Sequence, residues 1–297
     1  MNRQPLKMNS GSAQTTIGAI SSDGLTLPAE QETMTQATTD SVSVNRWTPQ
    51  ASTAADDLLA EEVAVALCYN GTCHLVMMAS PSDLADFALG FSLSEGILQS
   101  PDELYDLSIN PCAEGIEVNL TISTRRAQVL KQQKRNLTGR TGCGLCGADS
   151  LKHAIRPVSR ITPQAPISDA AIQRAVAQLD ANQPLQQQTG AVHGAAWCNA
   201  EGEIVQLKED VGRHNAMDKL IGSLVHSNSD FSQGFLLISS RASYEIVHKA
   251  AAIGIGNLVA VSAPTALAIR LAKQANINVT GFARNNRHVR YSQAQQD

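Results

Sequence analysis

Two cysteines stand two residues apart inside Thr141-Gly-Cys-Gly-Leu-Cys-Gly147. Thiols at that spacing can share a metal ion, close a disulfide, or pass a sulfur atom between them. The flanking glycines let the backbone turn tightly and leave the sulfurs unscreened. Ala148 to Ile155 reads as a helix, which places Cys143 and Cys146 at or just before its N-terminus. There the helix dipole lowers a thiol pKa and favours the thiolate. Lys131, Lys134, Arg135 and Arg140, just upstream, push the same way.

Several chemistries fit a lone pair of this kind. A structural zinc needs four ligands, and Cys68, Cys73, Cys112 and Cys198 supply no second C-x-x-C. A zinc deaminase needs H-x-E followed by P-C-x-x-C. Here Gly142 takes the proline's place and no H-x-E precedes it. No structural metal is therefore expected. A thioredoxin-like dithiol would sit early in a βαβ unit, whereas this pair follows a long β-rich stretch. An ordinary loop that happens to hold two cysteines is the plainest alternative.

Three further clusters could bind or move charge. Lys208 to Lys219 crowds Asp210, Arg213, His214, Asn215 and Asp218 around an expected helix start. Positions 210, 214 and 218 would share one helical face, suited to a ligand, a proton relay or a capping network. Ser239-Ser-Arg-Ala-Ser-Tyr-Glu245 joins an apolar strand to a helix. Ser240, Arg241 and Ser243 could hold an anion there, although Ser243 would also serve as a simple N-cap. Gly281 to Arg287 follows another strand. Arg284 and Arg287 could grip phosphate and Asn285 and Asn286 read a base edge, unless this is only a solvated basic tail. His193 is a lone strand histidine, read as structural. His74, His153, His226, His248 and His288 carry no usable pattern.

The elements that must position these residues are legible in outline. Glu62–Tyr69 and Thr72–Met78 read as strands joined by Asn70-Gly71, a strong hairpin signal. A helix is expected from Pro81 to about Ile97 and a strand over Ile116–Ile122. Asp169 to about Leu179 reads as a helix, followed by a Gln-rich connector to Thr189. Ala191–Cys198 and Ile204–Leu207 suggest a hairpin, and Asp210 to about Leu224 a helix. Beyond it, apolar strands at Gly234–Ser239, Leu258–Ser262 and Ile277–Phe282 alternate with helices at Tyr244–Ile253 and Thr265–Gln274. That alternation implies a parallel sheet with right-handed crossovers. The reading is a disordered tail over 1–45, a β-rich region over 46–140 and an α/β domain over 141–297.

Composition narrows the class. The 297 residues carry a net charge of −4, 43% hydrophobic residues and only 4% aromatics. Such a chain can build an aliphatic core without disulfides, and it lacks the basic footprint of a nucleic-acid binder. No run approaches a membrane helix, and no apolar leader follows the first basic residues, so a cytoplasmic protein with reduced thiols is expected.

Taken together, the chain resembles the formate dehydrogenase accessory sulfurtransferase (FdhD) family over roughly residues 55 to 290. Cys143-Gly-Leu-Cys-Gly147, Thr189–His193, Glu209–Asn215 with Asp218-Lys219, Ser239–Glu245 and Gly281-Phe282 carry the resemblance. It implies a cytidine-deaminase-like mixed α/β fold without the deaminase zinc chemistry. It implies a sulfurtransferase that takes persulfide sulfur from a cysteine desulfurase. The sulfur would pass to the molybdenum bis(molybdopterin guanine dinucleotide) cofactor of formate dehydrogenase. Cys143 maps to the persulfide carrier and Cys146 to its companion. Phe282, Ala283, Arg284, Asn285, Asn286 and Arg287 map to the cofactor-binding segment, and a homodimer is implied. One departure is the Arg-Asn-Asn-Arg turn, where a Pro-Gly type turn is expected. A cofactor chaperone without thiol chemistry and a C-x-x-C redox protein are the alternatives.

Overall fold

The computed structural model describes residues 36–135 and 157–294. Three sheets organise them. β1 (Thr39–Trp47) and β2 (Ser52–Ala60) form an antiparallel ribbon in which Val42 and Val44 face Asp57 and Ala55. Residues 39–45 thus leave the expected disordered tail and join a strand, because their alternating valines give it a half-buried face. Residues 1–35 lie outside the described residues.

The second sheet runs β4-β3-β6-β5, from β3 (Val63–Tyr69), β4 (Thr72–Ala79), β5 (Leu104–Cys112) and β6 (Gly115–Ile122). Asn70 and Gly71 both take positive φ, 46° and 74°, as a two-residue hairpin requires. Helix α1 (Leu84–Ser94) buries Phe87, Ala88 and Phe91 in one core with Val65, Leu67, Val118 and Leu120. α2 (Thr124–Arg135) adds Ala127 and Leu130 to that core.

The third sheet runs β12-β11-β10-β9-β7-β8. Its strands are β7 (His193–Asn199), β8 (Ile204–Asp210), β9 (Gly234–Ile238), β10 (Asn257–Ala260), β11 (Asn278–Arg284) and β12 (Arg287–Ser292). β9, β10 and β11 are parallel, and β7, β8 and β12 pair antiparallel at the flanks. Helices α5 (Arg213–His226), α6 (Tyr244–Ile253) and α7 (Ala266–Ala275) cover one face around Leu220, Ile246 and Leu271. α3 (Asp169–Leu179) covers the other through Ile172 and Leu179, against Phe235 and Val259. Burial on both faces is why β9 and β10 read as unbroken apolar runs.

Three expectations change. The Gln-rich connector contains a short helix, α4 (Pro184–Thr189), opened by its proline and closed by Gly190 at φ 67°. The helix expected from Asp210 begins at Arg213, and Asp210 ends β8 instead. The possible basic tail is β12, an edge strand turned back by Asn285-Asn286, with Asn286 at φ 62°.

α1 crosses α5 on glycines. A Cβ on Gly90 would lie 1.8 Å from the Asp218 carbonyl oxygen, and one on Gly222 would lie 2.0 Å from that of Asp86. The two helices can approach this closely only because both positions lack a side chain.

Candidate functional site

The parallel strands end together. Ile238 of β9 lies beside Ala260 of β10, and Val259 lies beside Thr280 of β11. β7 runs the other way, so its first residue, His193, reaches the same edge and pairs with Asp210, the last of β8. Ser239 ties the two strands together: its Oγ accepts from Gly194 N at 2.9 Å. Four segments far apart in sequence therefore meet at one sheet edge, those around His193, Asp210–His214, Ser239–Glu245 and Phe282–Arg284. This is the carboxyl edge, where α/β sheets bind ligands.

Half of the polar residues here are fully spoken for. Glu209 accepts from Leu185 N (2.9 Å) and Gln186 N (2.8 Å), capping α4. Asp210 has no exposed surface and accepts from Gly212 N (2.7 Å), Asn215 Nδ2 (2.9 Å) and Ser80 N (3.0 Å). It pairs with the equally buried Lys219 at 2.7 Å, and Lys219 also donates to Ser80 O at 2.9 Å. One turn on, Asp218 accepts from Ser94 Oγ (2.7 Å) and pairs with Lys249 (2.9 Å), which also meets Glu95 at 2.9 Å. The Lys249 ammonium stands 5.1 Å from the centre of the Phe91 ring. Burial pulls the Lys249 pKa down, but Asp218 and Glu95 outweigh it and keep the ammonium charged. These two groups of charges join the four-stranded layer to the six-stranded one.

The shared helical face read through 210, 214 and 218 is therefore not formed. Asp210 belongs to a strand end, Asp218 faces α1, and only His214 looks toward the edge.

The other half is open. Arg213 and His214 are the first residues of α5, and Ser243 takes the N-cap position of α6 without a capping bond from its side chain. Arg213 Nε is buried and has no hydrogen-bond partner among the described residues. His214 Nε2 stands 3.7 Å from Glu245 Oε2, an ion-pair distance too long for a hydrogen bond. Burial works to raise the Glu245 pKa, but His214, Ser243 and the backbone N–H of Glu245 together outweigh it and hold it at about 2. His193 is half-buried. Burial first, then the charges of Arg213 and His214, lower its pKa against the opposing pull of Asp210, so the imidazole is kept neutral. His193, read from sequence as structural, thus belongs to the cluster. The missed signal was its place at a strand start directly opposite Asp210.

The anion and cofactor candidates divide as well. Ser240 is buried and its hydroxyl donates to the Arg241 carbonyl at 3.2 Å, so only Arg241 presents a free head at the edge. Phe282 is 38% exposed with φ 51°, a strained setting for an aromatic residue, and its N–H donates to Ser262 O at 3.1 Å. Ala283 is fully buried against the α3 side, so its side chain can meet no ligand. Arg284, Asn285, Asn286 and Arg287 are exposed in a hairpin held to α3, where Gln173 accepts from Asn286 N at 2.7 Å. Among the described residues no carboxylate pairs with Arg241, Arg284 or Arg287. Cys143 and Cys146 lie outside the described residues. Of the thiols that are described, Cys198 is buried and pushed up to about 12, which makes it unreactive.

The family model described as FdhD/NarQ matches residues 60–296. The chain belongs to the FdhD/NarQ family. A sulfur carrier protein FdhD of Cupriavidus necator is 51% identical over 253 residues, 85% of this chain and 88% of that protein. The sulfur carrier protein FdhD of Bordetella petrii is 49% identical over 236 residues, 80% of this chain and 85% of that one. A crystal structure described as a formate dehydrogenase accessory protein, from Desulfotalea psychrophila, shares the fold. Its TM-score is 0.66 at 21% identity, covering 86% of this chain and 97% of that one. The architecture of mixed sheets with flanking helices is thus that of an FdhD-type protein. No described helix is long and apolar enough to cross a membrane.

Proposed function

We propose that this FdhD-family chain is a sulfur carrier in formate dehydrogenase maturation, with Cys143 as the atom that holds the sulfur. The observation that carries the reading is family membership together with an intact Cys143-Gly-Leu-Cys146. Relatives at about half identity bear the sulfur carrier name. In the first step the Cys143 thiolate attacks the terminal sulfur of a persulfide on a cysteine desulfurase. The donor's S–S bond breaks, an S–S bond to Cys143 forms, and the donor cysteine leaves as a thiolate that takes up the proton. No net oxidation occurs. Onward transfer releases Cys143 as a thiolate while the acceptor supplies the electron pair. The acceptor in this reading is the molybdenum bis(molybdopterin guanine dinucleotide) cofactor, held as a substrate at the carboxyl edge.

The edge suits such a polyanion. Among the described residues no carboxylate pairs with Arg241, Arg284 or Arg287 and Arg213 Nε has no partner, and α5 and α6 both point their N-termini at the edge. Phe282 offers a flat apolar surface for a base. A cofactor chaperone without thiol chemistry would use the same edge, and the cysteines decide between the two.

The test is mass spectrometry of the peptide carrying Cys143 and Cys146 after incubation with a desulfurase and cysteine. A gain of one sulfur that vanishes in Cys143→Ala supports the carrier. No added sulfur on that peptide, together with unimpaired formate dehydrogenase maturation by Cys143→Ala, supports the chaperone.

A further inference from the structure

Helix α2, which the carboxyl edge does not absorb, holds the start of the basic run read just upstream of the cysteine pair. Its sequence, Thr124-Arg-Arg-Ala-Gln-Val-Leu-Lys-Gln-Gln-Lys-Arg135, contains Arg125, Arg126, Lys131, Lys134 and Arg135 and no acidic residue, in a chain of net charge −4. Ala127 and Leu130 anchor it in the core, which turns Arg125, Gln128, Val129 and Lys131 outward. Arg126 is neutralised by Glu103, whose two carboxylate oxygens accept from its Nε at 2.9 and 2.8 Å. Among the described residues no carboxylate pairs with Arg125 or Lys131. Arg125 also sits in the first turn, where the helix dipole disfavours a positive charge, so local stability does not account for it.

An apolar cleft lies alongside. Tyr69, Thr72, His74, Ala127, Leu130 and Lys131 line a small, shallow apolar depression between the β3–β4 hairpin and α2. Val129 on the same helix is 38% exposed. An apolar depression beside unpaired charges is the anatomy of a protein-docking surface, in which a partner side chain fills the centre and charges ring it. A fully solvated basic helix would need no such depression.

Resting on the sulfur-carrier reading, we propose that the exposed face of α2 and this cleft dock the protein that loads Cys143, through an acidic surface bearing one apolar side chain. The position along the chain argues for the donor over other acidic proteins. Arg135 precedes Cys143 by eight residues, at most roughly 28 Å of extended chain, so a partner seated on α2 lies within reach of the thiol. Opposite charge would speed its arrival and make loading sensitive to salt.

The experiment compares the full-length chain with Arg125→Glu/Gln128→Glu. Both residues are exposed and outside the edge site. Sulfur on the Cys143 peptide is followed by mass spectrometry, first with a catalytic amount of desulfurase plus cysteine, then with glutathione persulfide as a small-molecule source. Binding to the desulfurase is measured separately by titration calorimetry at low and high salt. The expected result is desulfurase-dependent loading slowed about tenfold or more at low salt, with weakened binding. Raising the salt should slow wild type toward the variant, while loading from glutathione persulfide stays equal in both. Equal loading from the desulfurase by the two proteins overturns the proposal. So does an equal loss with both sulfur sources, because the helix would then act on the cysteine segment itself. A variant that binds the desulfurase normally but loses affinity for a DNA duplex assigns the face to nucleic acid instead, and likewise overturns it. If wild type takes sulfur from neither source, the carrier reading fails, and the binding data alone decide the docking surface.

Discussion

One stretch of sequence, Glu209 to Lys219, supplies both the layer-to-layer seam and part of the open edge, and the two differ in how completely their polar groups are satisfied. Asp210, Asn215, Asp218 and Lys219 are buried with short partners on every side. Arg213 and His214, in the same two turns, leave Nε and Nε2 without a hydrogen bond among the described residues. A buried polar group that is satisfied fixes structure, whereas one left unmatched carries a cost that a ligand can remove. The contrast separates residues that join the layers from residues left open at the carboxyl edge, although sequence spacing treats them alike.

The largest effect is expected in the seam. Lys219→Met would leave the Asp210 carboxylate buried without its cation. Removing one partner of a buried pair costs about 3–5 kcal/mol. Three hydrogen bonds from Ser80 N, Gly212 N and Asn215 Nδ2 remain, which favours the lower end. The urea midpoint of Lys219→Met should fall clearly, and Lys219→Met/Asp210→Asn should recover part of the loss. A midpoint equal to wild type would mean that the pair does not hold the two layers together.

How far the sequence revealed this division depends on the residue. The alternation of strands and helices after residue 230 was plain, because parallel strands covered on both faces are apolar runs too short for a helix. The Asn70-Gly71 hairpin was equally plain, since few residue pairs accept two positive φ values. The helix start at Arg213 was placed three residues early. Asp210 and Gly212 do look like a capping segment, but Asp210 ends a strand and its carboxylate takes the Gly212 N–H just ahead of the helix. His193 could not be recognised, since its neighbours Arg213 and His214 come from a different element and meet it only through strand pairing. Lys249 was missed for a similar reason: its partners Glu95 and Asp218 lie far away in the chain. Position 283 shows the opposite failure. A contiguous binding segment was expected over 282–287, but strand alternation buries Ala283 while exposing Phe282 and Arg284.

A smaller effect separates the two regions by pH. Glu245 has a folded pKa of about 2 against an ordinary 4.5. A lowered carboxylate pKa contributes stability that is fully present above about 4.5 and is lost as pH falls through the folded value. Glu245→Gln should therefore be less stable than wild type near pH 5. The margin should shrink from about pH 4.5 downward and vanish near pH 2. Paired urea titrations across that range check it, and a margin that widens in acid would show that the carboxylate is not held by His214 and its other partners. Both groups are partly solvent-exposed, so the margin should be well below the seam effect.

The smallest stability effect, and the sharpest test of the contrast, belongs to Arg213→Ala. Because its Nε has no partner to abandon among the described residues, the substitution should change stability by only about 0.5 kcal/mol in either direction. The same change removes a guanidinium from the mouth of the carboxyl edge, where charge-assisted bonds to phosphate are worth about 1.5–3 kcal/mol each. Guanosine diphosphate, a fragment of the proposed substrate, should bind the variant at least about tenfold more weakly, in keeping with that range. Arg241→Ala should weaken it in the same sense, since that residue is exposed and pairs with no carboxylate among the described residues. Calorimetric titration with the nucleotide, run beside thermal unfolding of the same samples, separates the two readouts. Unchanged affinity with unchanged stability would leave Arg213 without a role. Lost stability with unchanged affinity would move it into the seam, and the distinction between satisfied and open residues would fail at the position that defines it.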